Sequence, residues 1–539
     1  MHIQRTQADS IERRRWWILG VLSFSVLVIV LDNSVLNVAL PSIQRELHAS
    51  SSDLQWMVDA YSLAFAGLLL TMGSLGDKYG RRPALQIGFV IFGLGSLLSA
   101  VATSSSQLIA TRAVMGVGAA LIMPATLSII TNVFPAKERP KAIAIWTATA
   151  GVGVALGPIT GGLLLEQFYW GSIFLVNLPI VAFGLLAGVF LIPDSRDPHA
   201  PRLDWVGAIL SIIGLSAVLY GVIEAPSNSW TDPTILAAFA IGAVALIAFF
   251  AWEAHVDHPM LDLHFWTNPR FSAASGAIAV TFFALFGAVF LLTQYLQFVL
   301  GLTALETGVR LLASAIPVMV VSPLAPRIVA RIGTKLTVAA GLATITIAMV
   351  TFTSLDVTTD FFGVAWRLAL LGVGMGLTMA PATESIMGSL PLARAGVGSA
   401  VNDTTRELGG AVGVAVIGSV FSSVYESNVG DALRGQPGST VAGAKGSVGA
   451  ALTIASRLPG AAGRALGDVA RHAFVDGFHS AVLVGAAITI VGLVAVFAFL
   501  PSRPSPVDVE RQDEEFAAER ASSQALQARS RPRLEEQVE

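Results

Sequence analysis

The sequence predicts an all-α integral membrane protein, with fourteen transmembrane helices arranged as two six-helix halves plus two inserted central helices. Composition is the first reason: of 539 residues, 54% are hydrophobic and 13% are charged, whereas soluble domains carry about 25% charged residues. The second reason is that apolar stretches long enough to span a bilayer recur along the chain. The third is a short motif that returns in the second half at an equivalent place in the helix order.

The candidate spans follow one another as far as residue 500, and each has the roughly 20 mostly apolar residues that a bilayer requires. They lie near 16–38, 54–75, 84–102, 107–132, 141–165, 172–192, 204–223, 234–252, 271–296, 306–325, 336–354, 361–383, 397–422 and 479–500. Three arginines precede the first span, as in a signal peptide, but its apolar run is too long and further spans follow. We interpret it as an uncleaved helix.

The distribution of Lys and Arg orients these helices. If the N-terminus lies inside, nearly all Lys and Arg of the short loops fall on the inner side, and Arg45 is the exception outside. Such short basic loops stay in the cytoplasm during insertion. We therefore expect a multi-pass protein of a bacterial inner (plasma) membrane, with the segment 1–15 and the tail 501–539 both cytoplasmic.

A repeated motif divides the array. GSLGDKYGRRPAL (73–85) follows the second span and LAPRIVARIGTKL (324–336) follows the tenth, so that Gly80 aligns with Gly333. Two six-helix halves that rock about a central site are the architecture of alternating-access transporters. The sequence predicts an N-terminal half at 16–192, an inserted pair at 204–252 and a C-terminal half at 271–500, with a long extracytoplasmic loop at 423–478.

Several functional classes are disfavoured by what the sequence lacks. It has no cysteine and a net charge of −3, so disulfides, thiolate metal sites and nucleic-acid binding are not expected. It has no G-x-x-x-x-G-K-[ST] phosphate loop. The segment HVDHPMLDLH has no convincing metal-ligand spacing. We expect no enzyme activity, no cofactor and no metal, and an ion gradient as the energy source.

Two charged residues are predicted deep inside spans of the first half. Asp32 lies in the first helix and Arg112 in the fourth, where a charge costs roughly 2.5–3.5 kcal/mol on insertion scales. If the two approach, protonation of Asp32 would free Arg112, which would make a two-state switch. The alternatives are a polar packing role for Asp32 and an Arg112 that reaches the membrane surface.

An acid and an aromatic share one face of the second helix. Trp56 lies three residues before Asp59 and therefore on the same face of the helix, whereas Tyr61 lies on a different face. An acid beside an aromatic ring suits an organic cation, through charge pairing and cation–π attraction. The alternative is an interfacial position near the outer mouth of the bundle.

Three further groups are candidates. The fifth helix is predicted to be pliable and closely packed because it contains Gly153, Gly157, Pro158, Gly161 and Gly162. It could act as a hinge, as a seal between the halves or as a static packing face. Asp77 ends the second helix, where it can cap a neighbouring helix and pair with Arg, while the second copy has Ala330 there. Asp403 and Glu407 are predicted to lie at the start of the thirteenth helix. They could take part in transport or merely interact with the helix dipole.

Several motifs together resemble the major facilitator superfamily, and within it the fourteen-helix drug:proton antiporter group. They are LDNSVLNVALP (31–41), GSLGDKYGRR (73–82), LIATRAVMGVGAA (108–120), GVALGPITGG (153–162), WGSIFLVNLP (170–179) and YLQFVLGLTALETG (295–308). WMVDAYSL (56–63) is similar to the quaternary-ammonium exporters of the group. The resemblance runs from about residue 12 to residue 500.

The resemblance implies roles for these residues. Asp32 would couple protons with Arg112 as its partner, and Asp59 with Trp56 and Tyr61 would bind cations. A gating loop would comprise Gly73, Asp77, Gly80, Arg81 and Arg82, and Gly157 with Pro158 would mark exchange rather than uptake. One departure is that the tenth helix has no acid, which makes divalent substrates doubtful.

The resulting prediction is proton-coupled efflux of lipophilic, mainly cationic drugs or other amphiphiles by a monomer in the lipid bilayer. The alternative within the same fold is export of an endogenous lipid, siderophore or antibiotic. Import by proton symport is a further alternative, against which the motif of the fifth helix argues. A membrane-embedded enzyme or a sensor would need a catalytic cluster or a signalling domain that the sequence does not display.

Overall fold

The computed structural model describes residues 2–49, 51–196, 204–256, 259, 261–434, 438–503 and 514. Every regular element in those ranges is a helix. Thirteen of them are long and apolar enough to cross a membrane, and one of these is two helices that meet at Gly333, where φ is 85°. The described residues thus contain the fourteen spans that the sequence predicts, whereas most of the predicted tail 501–539 lies outside them.

We number the spanning helices α1 to α14. The first six are α1 (His2–Leu47), α2 (Ser51–Tyr79), α3 (Arg81–Ala100), α4 (Ser105–Val133), α5 (Arg139–Gln167) and α6 (Asn177–Leu191), with a single turn, Ser172–Leu175, before α6. The next two are α7 (Trp205–Asn228) and α8 (Pro233–Glu253). The last six are α9 (Pro269–Gln294), α10 and α11 (304–332 and 334–352 of the helix Ala304–Phe352), α12 (Phe361–Met387), α13 (Ala395–Ala432) and α14 (Gly460–Phe499).

Two separate apolar cores organise these helices. One cluster of buried side chains comes almost entirely from α1 to α6. The other comes mainly from α9 to α14. Because each six-helix set buries its own apolar face, each behaves as one packing unit. Many large apolar residues outside both cores are exposed, and Phe190 of α6 is 76% exposed. Such a surface is normal for helices that face lipid and abnormal for a protein in water.

The repeated motif has the same backbone geometry in both halves. Gly80 has φ 116° and Gly333 has φ 85°, a region that favours glycine because it has no Cβ. The backbone N–H of Arg81 donates to the carbonyl of Ser195 at 2.9 Å, and that of Thr334 donates to the carbonyl of Ser502 at 2.8 Å. Each glycine turn is thus tied to the segment after the sixth helix of its half. This side of the bundle is called the Gly80 end below.

The inserted pair contacts both halves. On α7, Tyr220 packs against Trp56 of α2 with ring centroids 5.9 Å apart, and a Cβ added at Gly67 of α2 would overlap the hydroxyl of Ser216. The indole N–H of Trp230, between α7 and α8, donates to Ser419 Oγ of α13 at 2.8 Å. The pair therefore lies along the line where α2 and α13 approach each other.

The segment 423–478 is largely helical, whereas its Gly, Ala and Ser content led us to expect a long loop with weak helical patterning around 447–475. α13 continues to Ala432, two short helices follow at Gly438–Gly446 and Val448–Arg457, and α14 already begins at Gly460. Aromatic packing explains the extension: Phe421 contacts Phe474 at 4.7 Å between ring centroids, and the Tyr425 hydroxyl donates to the carbonyl of Ala444 at 3.1 Å. These long-range contacts stabilise helix that the local composition does not indicate.

Candidate functional site

The two predicted charges of the first half form a buried ion pair. Nη1 of Arg112 donates to Oδ2 of Asp32, and the residues are 0% and 2% exposed. Burying two charges is costly unless geometry and further hydrogen bonds compensate. The pairing that the sequence suggested for Asp32 and Arg112 is therefore present, and Arg112 does not reach the membrane surface.

The remaining donors of Arg112 are also satisfied. Its Nε donates to the carbonyl of Met57 at 3.1 Å, and its Nη2 donates to Oδ1 of Asn33 at 3.2 Å. The guanidinium also lies over the ring of Tyr61, 4.5 Å from the centroid. Tyr61 is thus buried beneath the ion pair. Its position agrees with the prediction that it points away from Trp56 and Asp59.

The second carboxylate oxygen of Asp32 has partners that the sequence analysis did not identify. Nδ2 of Asn177 donates to Oδ1 of Asp32 at 2.7 Å and also approaches Ser96 Oγ at 3.1 Å. The Ser96 hydroxyl in turn donates to the carbonyl of Phe174 at 2.7 Å. α1, α3, α4 and the start of α6 therefore converge on one carboxylate. The motif WGSIFLVNLP contains Asn177 and was the available signal.

Trp56 and Asp59 lie toward the inserted pair. Trp56 packs against Tyr220 of α7, as described above, and both Trp56 and Asp59 are partly exposed. Asp59 follows Trp56 by three residues on α2, so an acid and two aromatic rings lie on this side of the helix and keep the chemistry of a cation site. The structure thus adds Tyr220 to the pair that the sequence suggested and separates the pair from Tyr61.

Asp77 joins the two halves at the Gly80 end. Its Oδ1 accepts from the backbone N–H of Gly396 at 2.9 Å, and its Oδ2 accepts from that of Val397 at 3.1 Å. These are first-turn N–H groups of α13, which lack partners within the helix and carry its positive dipole end. The carboxylate therefore caps a helix of the opposite half.

Arg81 reinforces this contact. Its Nε donates to Oδ1 of Asp77 at 3.0 Å, and its Nη2 donates to the carbonyl of Leu392 at 2.8 Å. Arg82 stays within its own half, where Nη1 donates to the carbonyl of Ile192 at 3.4 Å. A Cβ added at Gly73 would lie 2.6 Å from the carbonyl oxygen of Gly396, so glycine permits α2 and α13 to touch.

Replacing Asp77 by Asn is expected to loosen the Gly80 end. The variant loses the charge that pairs with Arg81 and caps α13, and hydrogen bonds to charged groups contribute roughly 1.5–3 kcal/mol each. Ser399, on α13, is fully buried, and the chain has no cysteine. N-ethylmaleimide labelling of Ser399→Cys should therefore become about tenfold faster with Asp77→Asn.

The matched control for this experiment is Asp468→Asn. Asp468 is also an acid paired with an arginine, Arg471 at 3.4 Å, but it is exposed. Its replacement should leave the labelling rate of Ser399→Cys unchanged. Equal labelling rates in the Asp77→Asn and wild-type backgrounds would show that Asp77 does not hold α13 against α2.

The glycines of α5 face α1 of the same half. A Cβ added at Gly157 would overlap Cβ of Ser34, one at Gly153 would lie 2.8 Å from Cβ of Val30, and one at Gly161 would lie 3.3 Å from Cγ1 of Val35. Gly162 is buried, and Pro158 lies in the helix between the first and last of these. The motif packs against the stretch of α1 that carries Asp32. These three glycines therefore form a close packing face within the N-terminal half, while the roles as a hinge and as a seal between the halves stay predictions.

Asp403 and Glu407 lie further along α13 than we expected. The helix begins at Ala395, so both residues lie beyond its first turn, and a role as helix-dipole partners no longer applies. Asp403 is 1% exposed, and its Oδ1 accepts from Nδ2 of Asn402 at 3.1 Å and from Nη1 of Arg406 at 3.4 Å. Glu407 is close enough for the charges of Arg406 and Asp403 to act on it.

The sequence analysis did not single out Arg406. Its guanidinium lies 4.7 Å from the ring centroid of Phe282 on α9 and 5.9 Å from that of Trp146 on α5. A second charged cluster, Asp403 with Arg406, thus lies where α13 meets α5 of the other half.

The described residues contain no group of three or more His, Asp or Glu side chains placed to hold a metal ion. Asp257 and His258 of the segment HVDHPMLDLH lie outside the described residues.

Solved structures and relatives resemble this chain. The human organic anion transporter MFSD10 (TETRAN) has a TM-score of 0.61 at 14% identity, covering 90% of this chain and 99% of its own. A bacterial homolog of the human lysosomal transporter Spinster has a TM-score of 0.54 at 18% identity, covering 92% and 99%. At these identities the likeness concerns the fold.

Curated relatives are similar along nearly the whole chain. Multidrug efflux pump LfrA of Mycolicibacterium smegmatis is 37% identical, covering 89% of this chain and 96% of that protein. Methyl viologen resistance protein SmvA of Salmonella typhimurium is 34% identical, covering 90% and 97%. The tetracenomycin C resistance and export protein of Streptomyces glaucescens is 30% identical, covering 95% and 96%.

The family model described as Major Facilitator Superfamily matches residues 22–414. This range begins within α1 and ends within α13, and it includes both copies of the glycine-turn motif. With this match and these relatives, the chain belongs to the Major Facilitator Superfamily.

Proposed function

We propose that this chain exports lipophilic, mainly cationic drugs or other amphiphiles from a bacterial cell in exchange for protons, by alternating access. The Gly80 end would face the cytoplasm, as the positions of Lys and Arg indicate. The segment 16–192 and the segment 271–500 would be the two moving halves, and 204–252 the inserted pair beside them. The relatives named above, which are resistance and efflux proteins, support this substrate class.

The buried Asp32–Arg112 pair is the observation that carries the proposal. A carboxylate inside a membrane protein is costly and marks a functional site by default. Here it accepts hydrogen bonds from a guanidinium and an amide. A proton on Asp32 would remove the counter-charge of Arg112, which would keep the Met57 carbonyl, the Asn33 amide oxygen, the Met115 sulfur and the Tyr61 ring.

The energy of this change supplies most of what a conformational switch requires. Removing one partner of a buried ion pair costs about 3–5 kcal/mol. Moving a two-state equilibrium from about 1:99 to about 99:1 needs about 5.5 kcal/mol. One protonation, together with substrate release, can therefore shift the protein from one state to the other.

The two halves are in contact at the Gly80 end, and we propose that the protonation switch controls this contact. Asp77 and Arg81 hold α13 of the second half against α2 of the first half. We propose that this contact latches the outward-facing state. Substrate would leave toward the outside, a proton would enter, and the latch would then release so that the inward-facing state can load again.

The second candidate function is export of an endogenous natural product by the same mechanism. It is favoured by the similarity to the tetracenomycin C resistance and export protein over 95% of this chain. The charged clusters and the coupling step would be the same, and only the cargo would differ.

Purified protein in liposomes should move a lipophilic cation such as tetraphenylphosphonium when a pH gradient is imposed and no ATP is present. A protonophore should abolish the movement, because Asp32 then has no proton gradient to use. Protein-free liposomes under the same gradient are the control. Movement that resists the protonophore and instead requires ATP would refute the proposal.

A further inference from the structure

Arg406 lies where the two halves meet. It belongs to α13, as Asp403 does, and its guanidinium lies over Phe282 of the same half and Trp146 of the other half. Both rings are buried, and the indole N–H of Trp146 donates to Thr126 Oγ1 on α4 at 3.2 Å. The two rings thus offer a fixed apolar surface on opposite sides of the boundary.

Two rings and two acids around a cation are the components of an organic-cation site. A cation over an aromatic face is stabilised by about 0.5–2 kcal/mol, more when it is shielded from water. Asp403 supplies negative charge through its ion pair with Arg406 at 3.4 Å, and Glu407 is a second acid directly after Arg406 on the same helix. The chain's own arginine thus occupies surroundings suited to a foreign cation.

Arg406 is held less firmly than Arg112 and Arg81, the two arginines of the sites described above. The side-chain hydrogen bond described for it is one contact of 3.4 Å with Asp403, near the upper limit for such a bond. Arg112 by contrast donates to Asp32, Met57 and Asn33. Arg81 likewise donates to Asp77 and to the carbonyls of Leu392 and Ala393. Arg406 can therefore be displaced at a smaller cost in hydrogen bonds than Arg112 or Arg81.

We propose that Trp146, Phe282, Asp403 and Glu407 form a cation site that the guanidinium of Arg406 fills in this conformation and yields to a lipophilic organic cation. This inference rests on the proposed export of cations and names the site at which they bind. Displacing Arg406 breaks its contact with Trp146, so that substrate binding changes a contact between the halves. The ligand class is an organic cation whose charge is spread over aromatic or alkyl groups, as in tetraphenylphosphonium.

The test is equilibrium binding of radiolabelled tetraphenylphosphonium to purified protein without any gradient. Arg406→Gln removes the internal competitor, and we expect about tenfold tighter binding if the guanidinium fills the site about nine-tenths of the time. Adding Asp403→Asn should cancel this gain, because the carboxylate then no longer attracts the ligand. Unchanged or weaker binding by folded Arg406→Gln protein, or a gain that survives Asp403→Asn, would overturn the inference.

Arg310→Gln is the matched control. Arg310 also lies over an aromatic ring, 5.0 Å from the centroid of Phe361, but at the start of α10, away from the Asp403 cluster. Its replacement should leave tetraphenylphosphonium affinity unchanged. A gain equal to that of Arg406→Gln would mean that any lost positive charge strengthens binding, and the specific site would be rejected.

A second measurement uses the unaltered chain and so does not depend on how the variant folds. Phenylglyoxal modifies accessible arginines, and mass spectrometry can follow each site. Tetraphenylphosphonium should accelerate modification of Arg406 several-fold by displacing it, with no change at Arg310. Slower or unchanged modification of Arg406 would contradict displacement. Because neither assay needs a proton gradient, a failure of proton-coupled export in liposomes would leave these binding results interpretable on their own.

Discussion

Replacing Asp32 by Asn is expected to abolish proton-coupled efflux while the protein still accumulates in the membrane. The amide is nearly the same size as the carboxyl group, so the close packing around residue 32 stays intact. It cannot bind and release a proton, however, so the counter-charge of Arg112 no longer appears and disappears during the cycle. Replacing one carboxyl oxygen by an NH2 group thereby removes the proposed switch.

The surrounding hydrogen bonds explain why this variant should fold. Arg112 keeps the Met57 carbonyl, the Asn33 amide oxygen and the Tyr61 ring. The new amide oxygen can still accept from Arg112, while its NH2 group faces Asn177, whose amide can turn to present oxygen. The loss of stability should therefore lie below the about 3–5 kcal/mol found when a buried ion pair loses one partner completely.

The measurement is pH-gradient-driven transport by Asp32→Asn protein in liposomes, alongside its thermal stability in detergent. We expect transport at the level of protein-free liposomes and a modest fall in melting temperature. Asp431→Asn is the matched control, because Asp431 pairs with Arg434 at 2.7 Å but is exposed, and such pairs contribute little. Wild-type transport by Asp32→Asn would disprove the coupling role.

Much of the fold could be predicted because lipid imposes strong rules on sequence. Each span must be apolar and long, and a glycine turn must recur at Gly80 and Gly333 if the two halves repeat. The pairing of Asp32 with Arg112 could also be predicted, since a charge buried in a span requires an opposite charge nearby. The helix-dipole argument predicted that Asp77, at the end of α2, caps a neighbouring helix. In the structure it caps the start of α13.

Other features could not be predicted because they depend on contacts between distant residues. Asn177 and Ser96 carry no charge, and although Asn177 lies in the motif WGSIFLVNLP, the motif does not say which residue it contacts. In the sequence, Arg406 lies close to Asp403 and Glu407, a pattern typical of the polar start of a helix. The structure shows that α13 begins earlier, at Ala395, so Arg406 lies in the helix interior. The helices within 423–478 are stabilised by aromatic packing such as that of Phe421 on Phe474, which local composition does not reveal.

The orientation of the glycines on α5 leads to the second large effect, which is the loss of transport in Gly157→Ala. The added methyl would overlap Cβ of Ser34, two residues after Asp32 on α1. Overpacking of a filled interior costs about 1–3 kcal/mol and is relieved by moving the backbone. α1 should therefore shift away from α5, and Asp32 should lose its alignment with Arg112 on α4.

Neighbouring glycines provide graded controls for this effect. A Cβ at Gly153 would lie 2.8 Å from Val30, whereas one at Gly161 would lie 3.3 Å from the movable Cγ1 of Val35. Loss of transport should therefore be largest for Gly157→Ala, smaller for Gly153→Ala and smallest for Gly161→Ala. A helix-propensity effect would not give this order, because alanine stabilises a helix interior relative to glycine at every position.

A compensating substitution separates displacement of α1 from any other role of Gly157. Ser34→Gly removes the Cβ that the new methyl meets, so the double variant Gly157→Ala with Ser34→Gly should regain part of the transport rate. Recovery should be incomplete, because the Ser34 carbonyl carbon would still lie 3.1 Å from the added Cβ. If the double variant transports no better than Gly157→Ala, the glycine acts by something other than its contact with α1, and the alignment of Asp32 does not depend on it.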